Sequence, residues 1–362
     1  MPNWEDNVRK VIPYTPGEQP KIRDIIKLNT NENPYPPSPA VQAALDGLQN
    51  DLLRKYPDPA ASMLVDAIAE QYHVSPDRVF VGVGSDDVLA MSFLTFFASG
   101  RPILFPDITY SFYDVWADLF RIPYETKALD EDFRIVSRDY YCENGGIVFP
   151  NPNAPTGVLK PLEEVEDIIR RNRDVVVIVD EAYIDFADGE DGEIPACSAL
   201  NLTDRYENLL VVQTFSKSRS LAGMRIGFAI GARKLIRYLN DAKYSFNSYT
   251  MNQTSIAAGT AAVRDHAYFA SCIGKIKATR ARTEEALRGL GFTFHDSQSN
   301  FLFVTHEKVS ARELFAALRE AKIIVRWFDK PRISNYLRIT IGTDEEMDAL
   351  TGFLRDYLKN RS

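Results

Sequence analysis

Short apolar runs recur between residues 79 and 230, and stretches with helical spacing separate most of them. The runs predict buried strands at Val79–Val81, Ile103–Phe105, Ile147–Phe149, Val175–Val179, Leu209–Val212 and Ile226–Ile230. Intervening segments such as DVLAMSFLTFFASG and PLEEVEDIIRRN predict helices. Apolar strands that alternate with helices predict an α/β fold, whose mostly parallel sheet is sandwiched by helices.

The alternation of apolar strands and helices gives way to other patterns on both sides of residues 79–230. Residues 1–40 are rich in proline and predict an extended arm that lies on its own body or on a partner subunit. Helices are predicted to follow, with Ser38 as the N-cap of one and a cap near Ser62 for the next. After residue 262, a long helical stretch precedes FLFVTH, IIVRWF and YLRITIG, which alternate with helical segments. We therefore predict a large domain over 41–262 and a smaller C-terminal α+β domain over 263–362.

Composition narrows the functional classes. The 362 residues are 45% hydrophobic and 25% charged, which is typical of a globular protein with a large core. The net charge of −8 argues against nonspecific nucleic-acid binding, and no apolar run approaches the ~20 residues of a membrane span. The N-terminus lacks a signal-peptide core, and the widely spaced Cys142, Cys197 and Cys272 favour reduced thiols in the cytoplasm. The four histidines lack metal-ligand spacing, so no metal is expected.

Candidate chemistry is concentrated in the run TFSKSRSLAGMRIGF, which begins at the end of an apolar strand. Lys217 lies just beyond this strand, where partial desolvation favours the neutral, nucleophilic amine. Thr214, Ser216 and Arg225 offer hydroxyl and guanidinium donors that suit a phosphate group. An amine nucleophile beside a phosphate site is the combination that pyridoxal phosphate requires.

The pattern S-K-x-x-x-L-A-G-x-R-x-G in this run resembles the Schiff-base segment of fold-type I pyridoxal-phosphate aminotransferases. More narrowly, it resembles the histidinol-phosphate aminotransferase branch of that family. The resemblance extends from the arm to about Gly342, with the motifs in family order. It implies the transferase fold of type I, pyridoxal 5'-phosphate as cofactor and Lys217 as its covalent attachment.

Other strand ends carry residues that match the family in order. Asp180 ends an apolar strand, where a carboxylate needs a buried partner, and the resemblance implies the protonated ring nitrogen of the cofactor. By the same resemblance, Tyr183 donates to the phenolic oxygen of the cofactor and Tyr110 stacks on its ring. Asparagine usually precedes Pro-Thr-Gly in this family, whereas this chain has Ala154. Asn153 is one candidate to replace it, and Tyr183 alone is the other.

A glycine-containing loop, Gly84-Ser85-Asp86, follows the first apolar strand and opens a helix. Free backbone N–H groups at a helix start suit an anion, and the resemblance implies that this backbone binds the cofactor phosphate. The Asp86 side chain is then expected to point away from the phosphate. A dinucleotide-binding loop has the pattern G-x-G-x-x-G, and in residues 82–87 Asp87 stands where that pattern has its third glycine. This mismatch disfavours a nicotinamide dehydrogenase.

Arg326 and Arg338 lie in apolar strands, where an unpaired buried cation is costly, so each is expected to form either a structural salt bridge or a clamp for substrate anions. The resemblance implies the clamp for both, and it implies that Tyr14 and Asn29 on the arm cover the substrate. Tyr56 resembles a tyrosine that reaches the cofactor phosphate of the neighbouring subunit, so a homodimer with shared active sites is expected.

The resemblance implies transamination between glutamate/2-oxoglutarate and histidinol phosphate/imidazole acetol phosphate, in L-histidine biosynthesis, with small anionic amino compounds as substrates. An aromatic amino-acid aminotransferase shares almost every residue named above, and a threonine-phosphate decarboxylase shares the fold and the arm. A cofactor-binding regulatory module is an alternative outside the enzymes. Such a module would normally carry an added DNA-binding domain, and the acidic composition of this chain argues against it. Substrate choice between these alternatives stays open at the level of sequence.

Overall fold

A computed structural model describes residues 3–21, 23–189 and 194–360. The large sheet has seven strands in the order β2-β8-β7-β6-β5-β3-β4, and β8 is antiparallel to both of its neighbours while the remaining pairs are parallel. Its strands are β2 (Val79–Gly82), β3 (Ile103–Pro106), β4 (Tyr124–Lys127), β5 (Ile147–Pro150), β6 (Val177–Asp180), β7 (Leu209–Thr214) and β8 (Gly227–Gly231). The mostly parallel sheet and all six predicted strands are confirmed. The edge strand β4 was not predicted, because three of its four residues are exposed and the segment carries no apolar run.

Helices cover both faces of this sheet. They are α1 (Pro39–Asp46), α2 (Ser62–Gln71), α3 (Ser85–Phe96), α4 (Tyr113–Phe120), α5 (Leu162–Arg171), α6 (Arg233–Phe246) and α7 (Gln253–Arg264). Successive strand residues enter different cores: Val177 and Val179 pack in one cluster, and Ile178 packs in the other. Because side chains alternate along a strand, this division buries both faces and explains why the strands read as continuous apolar runs.

The C-terminal region forms a second, smaller layer with its own core. It contains α8 (His266–Gly289), β9 (Phe292–Thr293), β10 (Phe301–His306), α9 (Ala311–Glu320), β11 (Ile323–Ile324), β12 (Arg326–Trp327), β13 (Leu337–Thr340) and α10 (Asp344–Lys359). Four of its strands form an antiparallel sheet in the order β12-β13-β10-β9. The expected α+β character is therefore confirmed, whereas the domain limits at residues 40 and 262 stay a prediction.

The arm lies on its own body over residues 26–33. Strand β1 (Ile26–Lys27) pairs in parallel with β11, with Ile26 opposite Ile323. The backbone N–H of Thr340 donates to the Leu28 carbonyl at 3.0 Å, and Asn33 reaches the loop after β7. This contact joins the arm to the smaller sheet and to the edge of the larger one.

The two predicted helix caps differ in their outcome. Ser38 is the residue before α1, but its side chain makes no capping hydrogen bond and Pro39 begins the helix. The N-cap of α2 is Ala61, next to Ser62 as predicted, and the Asp58 carboxylate accepts from the backbone N–H of Ser62 at 2.7 Å. Asp58 therefore satisfies one of the free N–H groups that open α2.

Candidate active site

A cavity of about 250 Å³ lies at the carboxyl ends of β5, β6 and β7, between the large sheet, the small domain and the arm. This edge is where open α/β sheets bind ligands, because the strand ends and following loops converge there. Most of the predicted site residues line it: Tyr14, Asn29, Ser85, Asp86, Tyr110, Asp180, Tyr183, Thr214, Ser216, Lys217, Arg225, Arg326 and Arg338. Gly84, Asn153 and Tyr56 do not line it.

Asp180 is a buried carboxylate at the end of β6, with 4% of its surface exposed. The hydroxyl of Tyr113 donates to Oδ2 at 2.9 Å, whereas Oδ1 has no hydrogen-bond partner among the described residues. Burial raises the pKa of Asp180 to about 6, because the charged form loses its hydration. A buried carboxylate with one free oxygen beside a cavity fits a cationic ring nitrogen, such as that of pyridoxal phosphate.

Donors for a phosphate gather where α3 begins. Thr214 donates to Ser216 at 3.0 Å, and the Arg225 guanidinium donates to Ser216 Oγ at 3.3 Å. Gly84 has φ of +87°, and a Cβ atom there would lie 2.4 Å from an Arg225 nitrogen, so only glycine leaves the guanidinium its place. Ser85 is the first residue of the helix, whose free N–H groups favour an anion. These residues fit the cofactor phosphate.

Asp86 differs from the sequence expectation. Its side chain lines the cavity rather than turning away, and its carboxylate accepts from Arg225 at 3.1 Å and from the Tyr110 hydroxyl at 2.7 Å. The physical reason is the nearby guanidinium, which attracts the closest carboxylate in a partly desolvated site. A phosphate bound by Arg225 would therefore share this cation with Asp86.

Tyr110 and Tyr113 form an aromatic corner beside Asp180. Their rings meet edge to face, with centroids 5.8 Å apart and an interplanar angle of 88°. Burial raises the pKa of both phenols well above the ordinary value, so both hydroxyls stay protonated donors. Sequence reasoning chose Tyr110 and missed Tyr113. No local signal separates the two, since both lie in PDITYSFY after β3.

Lys217 is held between the sheet and the arm. Its Nζ donates to the Thr30 carbonyl at 2.9 Å and lies 5.8 Å from the centre of the Tyr183 ring. The side chain of Asn33 donates to the backbone carbonyls of Lys217 and Ser218, both at 3.1 Å. The arm therefore contacts the lysine through its amine and through its backbone, a role for Thr30 and Asn33 that sequence reasoning missed.

Asn153 does not fit the predicted contact with the cofactor. The residue is 1% exposed, and its Nδ2 donates to the Ile108 carbonyl at 2.9 Å and to Thr156 at 3.1 Å. Its Oδ1 accepts from the Thr109 hydroxyl at 3.0 Å. Because these bonds engage both ends of the amide, Asn153 stabilises the loop, while Ala154 is the residue that lines the cavity.

Arg326 and Arg338 are cross-strand neighbours on β12 and β13. Neither guanidinium has a carboxylate within 4.0 Å among the described residues, and Nε of Arg338 has no partner there. Burial lowers the pKa of Arg338, and the neighbouring Arg326 cation lowers it further. Two adjacent cations without an acidic partner form an anion site, because a bound anion offsets the cost of bringing them together.

The arm closes this end of the cavity. The Asn29 carbonyl accepts from Arg338 at 2.9 Å, and the buried Asn29 Oδ1 has no partner among the described residues. The ring of Tyr14 stacks on Phe112 with centroids 4.1 Å apart. Burial raises the pKa of Tyr14, so its hydroxyl is a protonated donor beside the two arginines. Both predicted arm residues therefore lie at the anion site.

Tyr56 lies outside the cavity of its own chain and is 80% exposed. Its ring stacks on Tyr249 with centroids 4.6 Å apart, and Leu53 and Phe246 are exposed nearby in sequence. A role in a neighbouring subunit's site therefore stays a prediction. Among the described residues, no group of three or more histidine, cysteine or carboxylate side chains could hold a metal ion. None of the described helices combines the length and apolar character needed to span a membrane.

Comparisons with known proteins agree with this geometry. The model of the family "Aminotransferase class I and II" matches residues 23–354. A histidinol-phosphate aminotransferase of Lactococcus lactis subsp. cremoris is 50% identical over 359 residues, covering 99% of each chain. Histidinol-phosphate aminotransferase 2 of Dechloromonas aromatica is 53% identical over 357 residues, covering 97% of this chain and 98% of that protein.

Solved structures share the fold. A Sinorhizobium meliloti histidinol-phosphate aminotransferase in complex with pyridoxal-5'-phosphate has a TM-score of 0.84 at 24% identity, covering 94% of this chain and 93% of that one. A Porphyromonas gingivalis L-threonine-O-3-phosphate decarboxylase has a TM-score of 0.77 at 20% identity, covering 92% of this chain and 100% of that one. Since both identities are low, these structures establish the fold alone. The family model and the full-length relatives together show that this chain belongs to the class I and II aminotransferases, within the histidinol-phosphate aminotransferase family.

Proposed function

We propose that this protein transfers an amino group between histidinol phosphate/imidazole acetol phosphate and glutamate/2-oxoglutarate, with pyridoxal phosphate as cofactor, in histidine biosynthesis. The observation that carries this proposal is the Arg326–Arg338 pair, which faces the same cavity as Lys217 and has no acidic partner among the described residues. Guanidinium groups bind carboxylate and phosphate alike, so one site can accept both substrates.

The cofactor, when bound, supplies a ring that withdraws electrons from the amino-bearing carbon of the substrate. Asp180 would hold the ring nitrogen in its cationic form, and Tyr113 keeps the carboxylate oriented through its hydrogen bond. The phosphate would be held by Ser216, Arg225 and the backbone at the start of α3.

Lys217 is the proton carrier in this proposal. Its Nζ would hold the cofactor covalently, and once freed by the substrate the amine would act as general base and acid at the amino-bearing carbon of the substrate. Tyr183 lies against this amine, where its hydroxyl can donate to the phenolic oxygen of the cofactor. Tyr14 and Asn29 of the arm line the cavity beside the anion site, where they would limit the access of water.

We further propose that two copies of the chain form a cytoplasmic homodimer. The large domain exposes four apolar or aromatic side chains: Leu53, Tyr56, Phe246 and Tyr249. The rings of Tyr56 and Tyr249 stack on each other. Burial against a second copy would remove this apolar surface from water and bring Tyr56 to the partner's site. Sedimentation of wild-type and Tyr56→Ala protein tests this, since an unchanged monomeric state in both would contradict it.

A single-turnover comparison tests the substrate. Histidinol phosphate should convert the bound cofactor to its amino form much faster than phenylalanine does, because its phosphate engages Arg326 and Arg338. Faster conversion by phenylalanine would favour an aromatic amino-acid aminotransferase. Release of carbon dioxide from threonine phosphate would favour the decarboxylase. Borohydride reduction followed by peptide mapping should label Lys217, and a label on another lysine would contradict the site assignment.

A further inference from the structure

The hydroxyl of Tyr183 receives a hydrogen bond from the arm. Asn31 Nδ2 lies 2.9 Å from the phenol oxygen, and the two residues are 1% and 9% exposed. An amide nitrogen only donates, so the tyrosine oxygen is the acceptor in this pair. The single O–H proton of Tyr183 is therefore free to point elsewhere.

Thr340 determines which end of the Asn31 amide faces Tyr183. The backbone N–H of Asn31 donates to Thr340 Oγ1 at 3.0 Å, and the threonine hydroxyl donates to Asn31 Oδ1 at 3.0 Å. Because Oδ1 is engaged with Thr340, Nδ2 is the atom turned to Tyr183. The Asn31 carbonyl also accepts from Asn300 at 3.1 Å, which fixes the backbone at this point.

The loop after β5 presents no side-chain donor to the cavity beside Tyr183. The cavity-lining residues of this part of the chain are Pro150, Ala154 and Pro155. Asn153 lies in the same loop, but its amide is engaged with Ile108, Thr109 and Thr156. Tyr183 is therefore the donor on which a ligand oxygen at this side of the cavity depends, and the direction of its proton matters.

We propose that Asn31 is a positioning residue that directs the Tyr183 proton into the cavity, toward the phenolic oxygen of the cofactor. The inference rests on the proposed function, since it requires pyridoxal phosphate bound to Lys217. Asn31 touches neither cofactor nor substrate in this role and acts only through the tyrosine hydroxyl.

A fixed donor at the phenolic oxygen has a measurable consequence. The hydrogen bond stabilises the negative charge on that oxygen, which then attracts less strongly the proton on the nitrogen joining Lys217 to the cofactor. The pKa of this linkage is therefore lowered by the Asn31–Tyr183 pair. Loss of the donor should raise it.

Other charged or titratable groups face Tyr183. Arg338 and Tyr14 interact with it from the small domain and the arm, and Tyr113 does so from the large domain. The Lys217 amine lies over its ring. These groups are unchanged in the variants below, so they contribute a constant background to the comparison.

The test is a pH titration of the visible absorbance of the holoenzyme. Asn31→Asp keeps the size of the side chain but replaces the donor with an acceptor, which draws the tyrosine proton away from the cavity. We expect Tyr183→Phe and Asn31→Asp each to raise the pKa of the linkage by about one unit, the order of one lost hydrogen bond to a charged form. In the Tyr183→Phe background, Asn31→Asp should add less than half of its shift in the wild type.

Equal shifts from Asn31→Asp in both backgrounds would show a charge acting through space and would overturn the inference. An unchanged pKa in Asn31→Asp would overturn it as well. Thr340→Val is a second variant that changes no charge. It removes the hydrogen bond to Asn31 Oδ1, so the Asn31 amide can turn. A smaller rise in the pKa of the linkage is expected, and a fall would contradict the inference. Cooperative thermal unfolding of the cofactor-free variants checks their folding.

The titration uses no substrate, so its result is separate from the substrate assay. A normal absorbance titration in the wild type with no effect of Asn31 would reject the positioning role and leave the aminotransferase intact. Failure of histidinol phosphate to react would reject the proposed substrate and leave the positioning role intact.

Discussion

The two ends of the cavity are built differently. At the cofactor end, Asp180 has a hydrogen-bond donor in Tyr113, and the Arg225 cation is paired with the Asp86 carboxylate. At the anion end, Arg326 and Arg338 lie side by side with no carboxylate near them among the described residues, and Arg338 donates to the backbone of the arm.

This difference matches the two kinds of ligand: the cofactor stays bound at one end, whereas the substrates replace one another at the other end. At the cofactor end the protein fixes charges of both signs, the buried Asp180 carboxylate and the Arg225 cation paired with Asp86, which suits one group held throughout the reaction. Positive charge at the anion end is left unbalanced, so the substrate anion must supply the missing partner. A site completed by its ligand can accept two different anions in turn, as transamination between two substrates requires.

The largest expected effect is at Lys217. Lys217→Ala should lower kcat by about 10³-fold or more, because it removes both the covalent attachment and the proton carrier. Stopped-flow measurement of each half-reaction checks this. Small primary amines added to the buffer should restore part of the rate if the amine alone is missing. Near-normal rates in Lys217→Ala would contradict the assignment.

Asp180→Asn tests the buried negative charge at the cofactor end. Loss of the charged partner of the ring nitrogen should lower kcat by about 10²-fold or more, the order expected when one member of a buried ion pair is removed. Steady-state kinetics with cofactor in excess measures this effect. Tyr113→Phe is the matched control, because it removes only the hydrogen bond to Oδ2 and should have a smaller effect.

The same carboxylate predicts how the stability of the cofactor-free protein depends on pH. Burial raises the pKa of Asp180 to about 6 in the folded state, above its ordinary value of 3.8. With Asp180 the folded state binds more protons between these values, so the contribution of this carboxylate to the free energy of unfolding should fall as pH rises from about 4 to 6. At pH 8, Asp180→Asn should stabilise the cofactor-free protein by about 2 kcal/mol or less, measured by urea unfolding. A destabilised variant would contradict this.

Arg338→Ala tests the unbalanced end. It should lower kcat/KM for both substrates by about 10²-fold, since each loses a charge-assisted contact. Arg338→Met fills much of the space without a charge and should bind substrate equally poorly while stabilising the cofactor-free fold. Unchanged kinetics in both variants would leave the anion site without support, and loss for only one substrate would show that the two anions bind separately.

The smallest expected effect is at Asp86, whose carboxylate pairs with Arg225, while the arginines at the anion end have no such partner among the described residues. Asp86→Asn should tighten binding of pyridoxal phosphate a few-fold, because it removes a negative charge that competes for Arg225. Both side chains are about 40% exposed, so solvent screens the effect. Titration of the cofactor-free protein measures it, and Tyr110→Phe is the control that keeps the charge. Weaker binding in Asp86→Asn would mean that Asp86 orients Arg225 for the phosphate.

Sequence patterns predicted the layered fold well because buried strands are continuously apolar. The edge strand β4 was not predicted, because most of its residues are exposed and form no apolar run. Site residues at strand ends, such as Asp180 and Lys217, could be placed in one region because parallel strands end at the same edge of the sheet. Tyr113, Asn31 and Asn33 could not, since their partners lie far along the chain and nothing local marks the contact.

The sequence by itself determined the large sheet, the position of Lys217 after β7 and the family, because these depend on local periodicity and on contiguous motifs. Only the tertiary structure decided which way the polar side chains face. It turned Asp86 toward Arg225, engaged the Asn153 amide with the segment after β3 and brought Asn31 to Tyr183. Hydrogen bonds between distant segments are selected by the packing that buries them, and a linear pattern carries no record of that selection.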